Sequence, residues 1–292
     1  MEDACRGAGG RRVSGRGRVV SDGSRGVNAI AGRLHPAAVI DRRAELDSSV
    51  EVGPGTVIGP EVRIGAATKI GPYAVIEGQT TIGARNRIFQ FASIGAAPQD
   101  LKYHDEPSRL EIGDENRIRE FTTIHRGTEG GGMLTRIGSH VLVMNYVHIA
   151  HDCLIGDHSI LANSTEIAGH CVLDEWVVTA GMCGIHQFSR IGAHAMLAAG
   201  SKVAQDVPPY AMVAGDRARM VGINAVGLER RGFSPEVVAA LRAAFRTLFY
   251  SKLLRDDALT QVLDEHGALP EVRRLVDFIR ASERGVVSRD RE

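Results

Sequence analysis

From Val50 to Gly95 an aliphatic residue returns at every sixth position: Val52, Ile58, Ile64, Ile70, Ile76, Ile82, Ile88 and Ile94, most of them followed directly by Gly. An α-helix brings an apolar side chain back to one face after three or four residues, and a half-buried strand after two. A strict six fits neither and predicts a short strand plus a turn, repeated. The beat resumes at Ile112, Ile118 and Ile124, and again from Ile137 to Val203, with Thr179 as the one non-aliphatic member. Backwards it takes in Leu46 and Ile40. Three sixes close one coil of eighteen residues. Each aliphatic side chain then points into a triangular prism, and successive coils stack as parallel strands about 4.8 Å apart.

Two interruptions break the beat. Between Ile94 and Ile112 lies a stretch of non-repeat composition, Pro98 to Pro107, which predicts a loop near residues 96–109. Between Ile124 and Ile137 thirteen residues replace six, predicting a second loop near 127–135, with Gly130, Gly131 and Gly132 as a flexible excursion. If each loop replaces one turn, Ile94 and Ile124 stand one coil apart and both loops leave the same edge, like the walls of a cleft. The prism is expected over residues 31–212, its beat ending near Val203 before Pro208-Pro209, and a helical domain over 213–292. Residues 216–231 read as a short helix with connections. Ser234-Pro235-Glu236 reads as an N-cap, Pro at the first helical position and an acid in the first turn of a helix running to about Leu254. Asp256 to Glu265 and Pro270 to Ser282 predict two more. Residues 1–30, rich in Gly, Arg and Ser, read as a disordered or over-called extension without the apolar core of a secretory signal.

Composition adds little chemistry. Thirty-five basic residues balance 35 acidic ones, which gives no reason for wholesale nucleic-acid binding. No segment is long and apolar enough to span a bilayer. Four cysteines do not make a disulfide framework, and Cys153 and Cys171, eighteen apart, read as stacked buried side chains. The narrow prism leaves long weakly polar sides, so side-by-side association with closed symmetry is expected.

Histidine is crowded in the later coils. With an eighteen-residue coil, Ile124, Ile149, Ile167 and Ile185 share one side, which gathers His125, His148, His151, His170 and His186 with Gln187 around it. His140, His158, His194 and His266 read as structural or exposed. His151 is followed by Asp152 and faces a gap lined by Gly169. A neutral imidazole can take a proton near pH 7, and a carboxylate can hold its tautomer. No motif places a Ser or Cys nucleophile, so the pair suggests a general base acting on a substrate hydroxyl, with direct transfer between two substrates. A zinc site built from several His is the competing chemistry.

With these residues placed, the chain resembles the hexapeptide-repeat acyltransferases, and among them the UDP-N-acetylglucosamine O-acyltransferases that begin lipid A synthesis. The runs that carry the resemblance include Gln99-Asp100-Leu101-Lys102-Tyr103, Ile124-His125-Arg126-Gly127-Thr128, His148-Ile149-Ala150-His151-Asp152, His186-Gln187-Phe188 and Arg230-Arg231-Gly232-Phe233. The resemblance covers about residues 35 to 280. It implies an all-β left-handed parallel β-helix with a C-terminal helical domain, a homotrimer and a cytoplasmic location. The implied reaction passes an (R)-3-hydroxyacyl chain from acyl carrier protein to the 3-hydroxyl of UDP-N-acetylglucosamine, with no bound cofactor beyond the carrier's own phosphopantetheine arm. His151 would be the base and Asp152 the acid beside it. Asp100, Lys102, His125, His148, His170, His186 and Gln187 would line the pocket, and the backbone at Gly169 would donate to the thioester oxygen. Asn224, Arg230 and Arg231 would meet the nucleotide, while Ala199, with Met196, would set acyl length. Val226 departs from the family, where a Glu often contacts the nucleotide. Alternatives are the related N-acyltransferase or a 3-amino acceptor sugar, a zinc-dependent carbonic-anhydrase-like enzyme, and a non-catalytic scaffold.

Overall fold

The computed structural model describes residues 33–289; the expectation for residues 1–30 lies outside them. The six-residue beat builds short parallel strands on three faces. We number the faces in the order the chain visits them. Face I holds nine strands, from Val39–Ile40 to Lys202–Val203; face II holds eight, from Glu45–Leu46 to Arg190–Ile191; face III holds ten, from Glu51–Val52 to Arg219–Ile223. The result is a left-handed parallel β-helix. Register is strict: Ile58 pairs with Ile76, Ile149 with Ile167, and Ile167 with Ile185. These residues fill the prism interior at 3% exposure or less, and Thr179 is buried among them through a 2.9 Å contact with Thr165 Oγ1. Outward positions carry cross-coil ion pairs such as Arg63–Glu45 and Lys69–Glu51, exposed and individually weak.

Ile94 pairs with Ile124 on face I, and the chain between each of them and face II is a loop. Both loops therefore leave the same I–II edge, as the two interruptions predicted. Cys153 and Cys171 are buried and stacked, each thiol donating to a backbone carbonyl of the next coil.

The edges have a common device. At many corners a non-glycine residue takes the left-handed conformation, with φ near +60°, and throws its side chain outward. Coils stack, so these side chains stack too. The III–I edge carries Tyr73, Phe91, Phe121 and Tyr146 with centroids 5.1–5.8 Å apart. The II–III edge carries His140, His158, Trp176, His194 and Tyr210.

The C-terminal part differs from expectation in three places. The prism does not stop near Val203: a further coil strand, Ala211–Ala214, pairs in parallel with Met196–Leu197. Residues 216–231 do contain the expected short helix, α1, Ala225–Arg230, but the connection before it is a strand, Arg219–Ile223, antiparallel to Ala211–Ala214. The domain from 213 onward is thus not purely helical, because the hairpin closes the open end of face III. Helix α2, Pro235–Tyr250, ends before Leu254; Ser234 caps it by accepting from Val237 N. Helices α3, Arg255–His266, and α4, Pro270–Arg280, follow. Buried Asp206 ties this region to the prism, accepting from Arg190 N at 2.8 Å and from Ser282 Oγ at 2.7 Å.

Candidate active site

Coil length puts the histidines on one edge. His148 projects outward from the strand His148–Ile149 on face I, and His151-Asp152 turn the I–II corner just beyond it. Gly169-His170 turn the same corner one coil on, and Gln187-Phe188 the next. His125 ends the strand Thr123–His125, at the root of the second loop.

Asp152 is the centre of the site. Its left-handed backbone, φ +59°, swings the carboxylate beside the preceding residue. Its Oδ2 lies 2.8 Å from His151 Nδ1 and 3.7 Å from His170 Nδ1. Thr128 of the second loop donates through its backbone N (2.9 Å) and its hydroxyl (2.5 Å). Burial alone would raise the Asp152 pKa, but hydrogen bonds from His151 and Thr128 hold it below the usual carboxylate range. With Nδ1 held by a carboxylate, His151 keeps Nε2 for a substrate.

Two glycines make this geometry possible. A Cβ on Gly169 would stand 2.5 Å from His151 Cε1, so only glycine lets the imidazole lie across the next coil. A Cβ on Gly131 would stand 1.9 Å from Asp152 Cγ. The glycine run was expected to be a flexible excursion; Gly131 instead lets the loop close over the carboxylate.

Burial biases three neighbouring imidazoles, His125, His148 and His170, toward the neutral form. Burial, followed by the charges of His148, His151 and Arg126, lowers the His125 pKa to about 4. Its buried Nδ1 has no hydrogen-bond partner and its ring meets His148 edge-on at 4.8 Å. Burial also lowers His148, whose Nδ1 sits 2.7 Å from Thr123 Oγ1, and His170. A cavity of about 850 Å³ opens over face I beside them, lined by Gln99, His125, His148, His151 and Gly169 at one end and by Lys202, Asp216 and Arg217 at the other.

Not every expected residue gathers there. His186 lines the cavity, whereas Gln187 is exposed at the corner outside it. Asp100 lies in the first loop, accepting from Lys102 N at 3.0 Å, and its charge reaches His170; neither it nor Lys102 lines the cavity, which Gln99 does. Asn224, Arg230 and Arg231 stand on the II–III side, at α1, away from the histidine edge. Met196 projects from face III, and exposed Ala199 turns the III–I corner. Sequence reasoning also passed over Thr128, although the run Ile124 to Thr128 contains it, because nothing in the spacing says that a loop hydroxyl returns to Asp152.

His151, Asp152 and His170 present ligand atoms within 4.8 Å of one another, a spacing that a metal could use. The Asp152 oxygens, however, already accept from Thr128 and His151, while His170 Nδ1 stands off at 3.7 Å.

Comparison with known proteins is consistent along the chain. Residues 206–287 match the family described as UDP-N-acetylglucosamine O-acyltransferase, domain 2, and residues 134–169 match the bacterial transferase hexapeptide repeats. An acyl-[acyl-carrier-protein]--UDP-N-acetylglucosamine O-acyltransferase of Janthinobacterium sp. (strain Marseille) is 53% identical, covering 87% of this chain and 98% of its own length. The Myxococcus xanthus protein of the same name is also 53% identical with the same coverage. The crystal structure of the Moraxella catarrhalis UDP-N-acetylglucosamine O-acyltransferase superposes with a TM-score of 0.84 at 44% identity, over 87% of this chain and 99% of that one. With identity at this level over nearly the whole length of those relatives, the chain belongs to the UDP-N-acetylglucosamine O-acyltransferase family.

Proposed function

We propose that this protein transfers an (R)-3-hydroxyacyl chain from acyl carrier protein to the 3-hydroxyl of UDP-N-acetylglucosamine, with His151 as general base. The observation that carries this reading is the 2.8 Å bond between His151 Nδ1 and buried Asp152, which leaves Nε2 for the sugar hydroxyl. Nε2 takes the hydroxyl proton as the oxygen attacks the thioester carbonyl carbon. Asp152 steadies the imidazolium. The Gly169 N–H donates to no other group among the described residues and is available to the developing oxyanion. As the C–S bond breaks, the proton passes from Nε2 to the departing thiolate, yielding the ester and the free thiol of the carrier's arm. The proton balance closes within His151, so the protein itself supplies base, orientation and polarisation, and no bound cofactor enters.

The placement of Arg231 supports a homotrimer. In one chain the His151 and Arg231 edges lie on opposite sides of face II. Face III of the later coils shows an apolar outward column of Leu142, Ile160, Val178 and Met196. Three copies arranged about the aromatic III–I edge would lay that column over the cavity on face I of the next copy. The neighbour's Arg231 would then meet His151, and Ala199 would stand at the inner end of the covered groove, where an acyl tail would stop. No helix among the described residues is long and apolar enough to cross a membrane. A cytoplasmic location belongs to the proposed reading, and its support is the choice of a nucleotide sugar and a carrier protein as substrates.

The test is a transfer assay with UDP-N-acetylglucosamine and 3-hydroxyacyl carrier proteins of graded length. His151→Ala is expected to lower kcat by roughly 10³-fold while the fold is retained. Full activity in that variant would remove the base assignment, and activity only with the 3-amino sugar would change the acceptor.

A further inference from the structure

Arg231 is an unusual cation. It follows α1, is half-buried, and pairs with no carboxylate among the described residues. Its guanidinium carbon instead sits 5.1 Å from the centroid of Trp176, and its Nη1 3.5 Å from His194 Nδ1. Burial lowers its pKa, the mark of a charge short of solvent and counterion. Two acids share that corner, Asp174 and Glu175 just before Trp176, and Arg274 of α4 occupies both. The other cation of that corner is thereby neutralised, and Arg231 is spared.

The rings around Arg231 form a rigid stack. His140 and His158 lie 4.7 Å apart at 2°, His158 and Trp176 4.2 Å apart at 11°, and Trp176 and His194 6.1 Å apart at 7°. Phe233 closes edge-on against His194 at 4.9 Å. Asn224 caps α1 and donates from Nδ2 to the His194 carbonyl at 3.0 Å, fixing the helix to the same stack. Burial, then the Arg231 charge, lowers the His194 pKa to about 4, so its ring is neutral and does not repel the guanidinium. A cation held by aromatic faces keeps its N–H fork directed at whatever arrives. A carboxylate partner would have spent that fork.

Resting on the reading of Arg231 as a nucleotide contact, we propose that Trp176 and His194 are positioning residues that hold Arg231 uncompensated for the diphosphate of the nucleotide sugar, and that Arg274 serves the same end by sequestering Asp174 and Glu175. None of the three needs to touch the substrate.

The experiment uses the full chain and two independent readouts: UDP binding by calorimetry, and steady-state kinetics with each substrate varied separately. Trp176→Ala is expected to weaken UDP binding and raise KM for the nucleotide sugar by about tenfold, the scale of a desolvated cation–π contact. Its kcat and its KM for the acyl carrier protein should stay within about twofold. Trp176→Phe keeps an aromatic face and should recover most of the loss. Arg274→Leu frees Glu175 to capture Arg231 and should weaken UDP binding in the same direction. Wild-type UDP affinity in Trp176→Ala overturns the proposal; if that variant fails to fold, wild-type affinity in Arg274→Leu does so. A protein that binds UDP in this Trp176-dependent way but transfers no acyl group would keep the proposal and sink the acyltransferase reading. A wild-type protein that does not bind UDP would overturn the proposal.

Discussion

Two edges of the prism are rich in histidine, and they use it in opposite ways. On the I–II edge the imidazoles meet at right angles: His125 to His148 at 77°, His151 to His170 at 87°. Their nitrogens point at a carboxylate, a threonine hydroxyl and a cavity. On the II–III edge they lie flat on one another and on Trp176, within 11° of parallel. Their faces do the packing there, as any aromatic ring would. The backbone explains the difference. His140, His158 and His194 occupy the left-handed corner position that throws rings outward in register, whereas His148 stands on a strand and His151 precedes the corner residue. His170 takes the corner position and accordingly stacks flat on Phe188, at 5°. A histidine on this scaffold is read by its place in the turn before it is read by its neighbours.

The contrast can be broken most severely at Gly169. Gly169→Ala would press a methyl group into the His151 ring and is expected to cost roughly 10²-fold in kcat, as a misplaced base does, with little change in either KM. A variant with wild-type kcat would mean that His151 can work from another position. Next in size is the pH response. The ordinary histidine pKa of 6.5 falls to about 4 in the folded protein at His125 and His194 alike. As pH drops from about 6.5 to about 4, the unfolded chain takes up protons that the folded chain refuses, so stability is full above that window and lost through it. Chemical denaturation across that range should show the decline, and His125→Asn should reduce it, leaving the share of His194. A flat profile in the wild type would mean that these imidazoles are solvated. The smallest effect sharpens the comparison from the other side. His158→Phe preserves the flat stack and should change stability by no more than about 0.5 kcal/mol, with kcat unaltered. His148→Phe, matched in size, should not be so tolerated, because it abandons Thr123 Oγ1 and the cavity.

Much of this arrangement was legible from spacing alone. A six-residue beat fixes which side chains face inward, and two interruptions each worth one turn place both loops on the histidine edge. Ser234-Pro235 announced α2 because a hydroxyl cap and an N-terminal proline act locally. What spacing could not show was contact across the coil. Asp152 is adjacent to His151 in sequence, yet adjacency leaves its direction open; a positive φ decides it. Gly131 looked like slack because its neighbour, Asp152, comes twenty-one residues later. The strand Arg219–Ile223 carries no six-residue beat, being an antiparallel return, and so reads as a mere connection to α1. Ala199 and Arg231 were located along the chain but not in space, since each lies on an edge that a single chain does not bring to His151.

The eighteen-residue coil also determines how such a chain can change. Losing or duplicating one whole coil below Tyr73 would shorten or lengthen the prism and return every later residue to its own face. Losing one hexapeptide would turn everything after it by a third of a revolution. Lost between Ile137 and His148, it would bring the histidines out on a different edge from the loop that supplies Thr128, and Asp152 would find no hydroxyl waiting. Insertions and deletions in this lineage are thus expected to come in multiples of eighteen within the prism and in any number within the two loops, a pattern that distinguishes a coil under selection from one that has drifted.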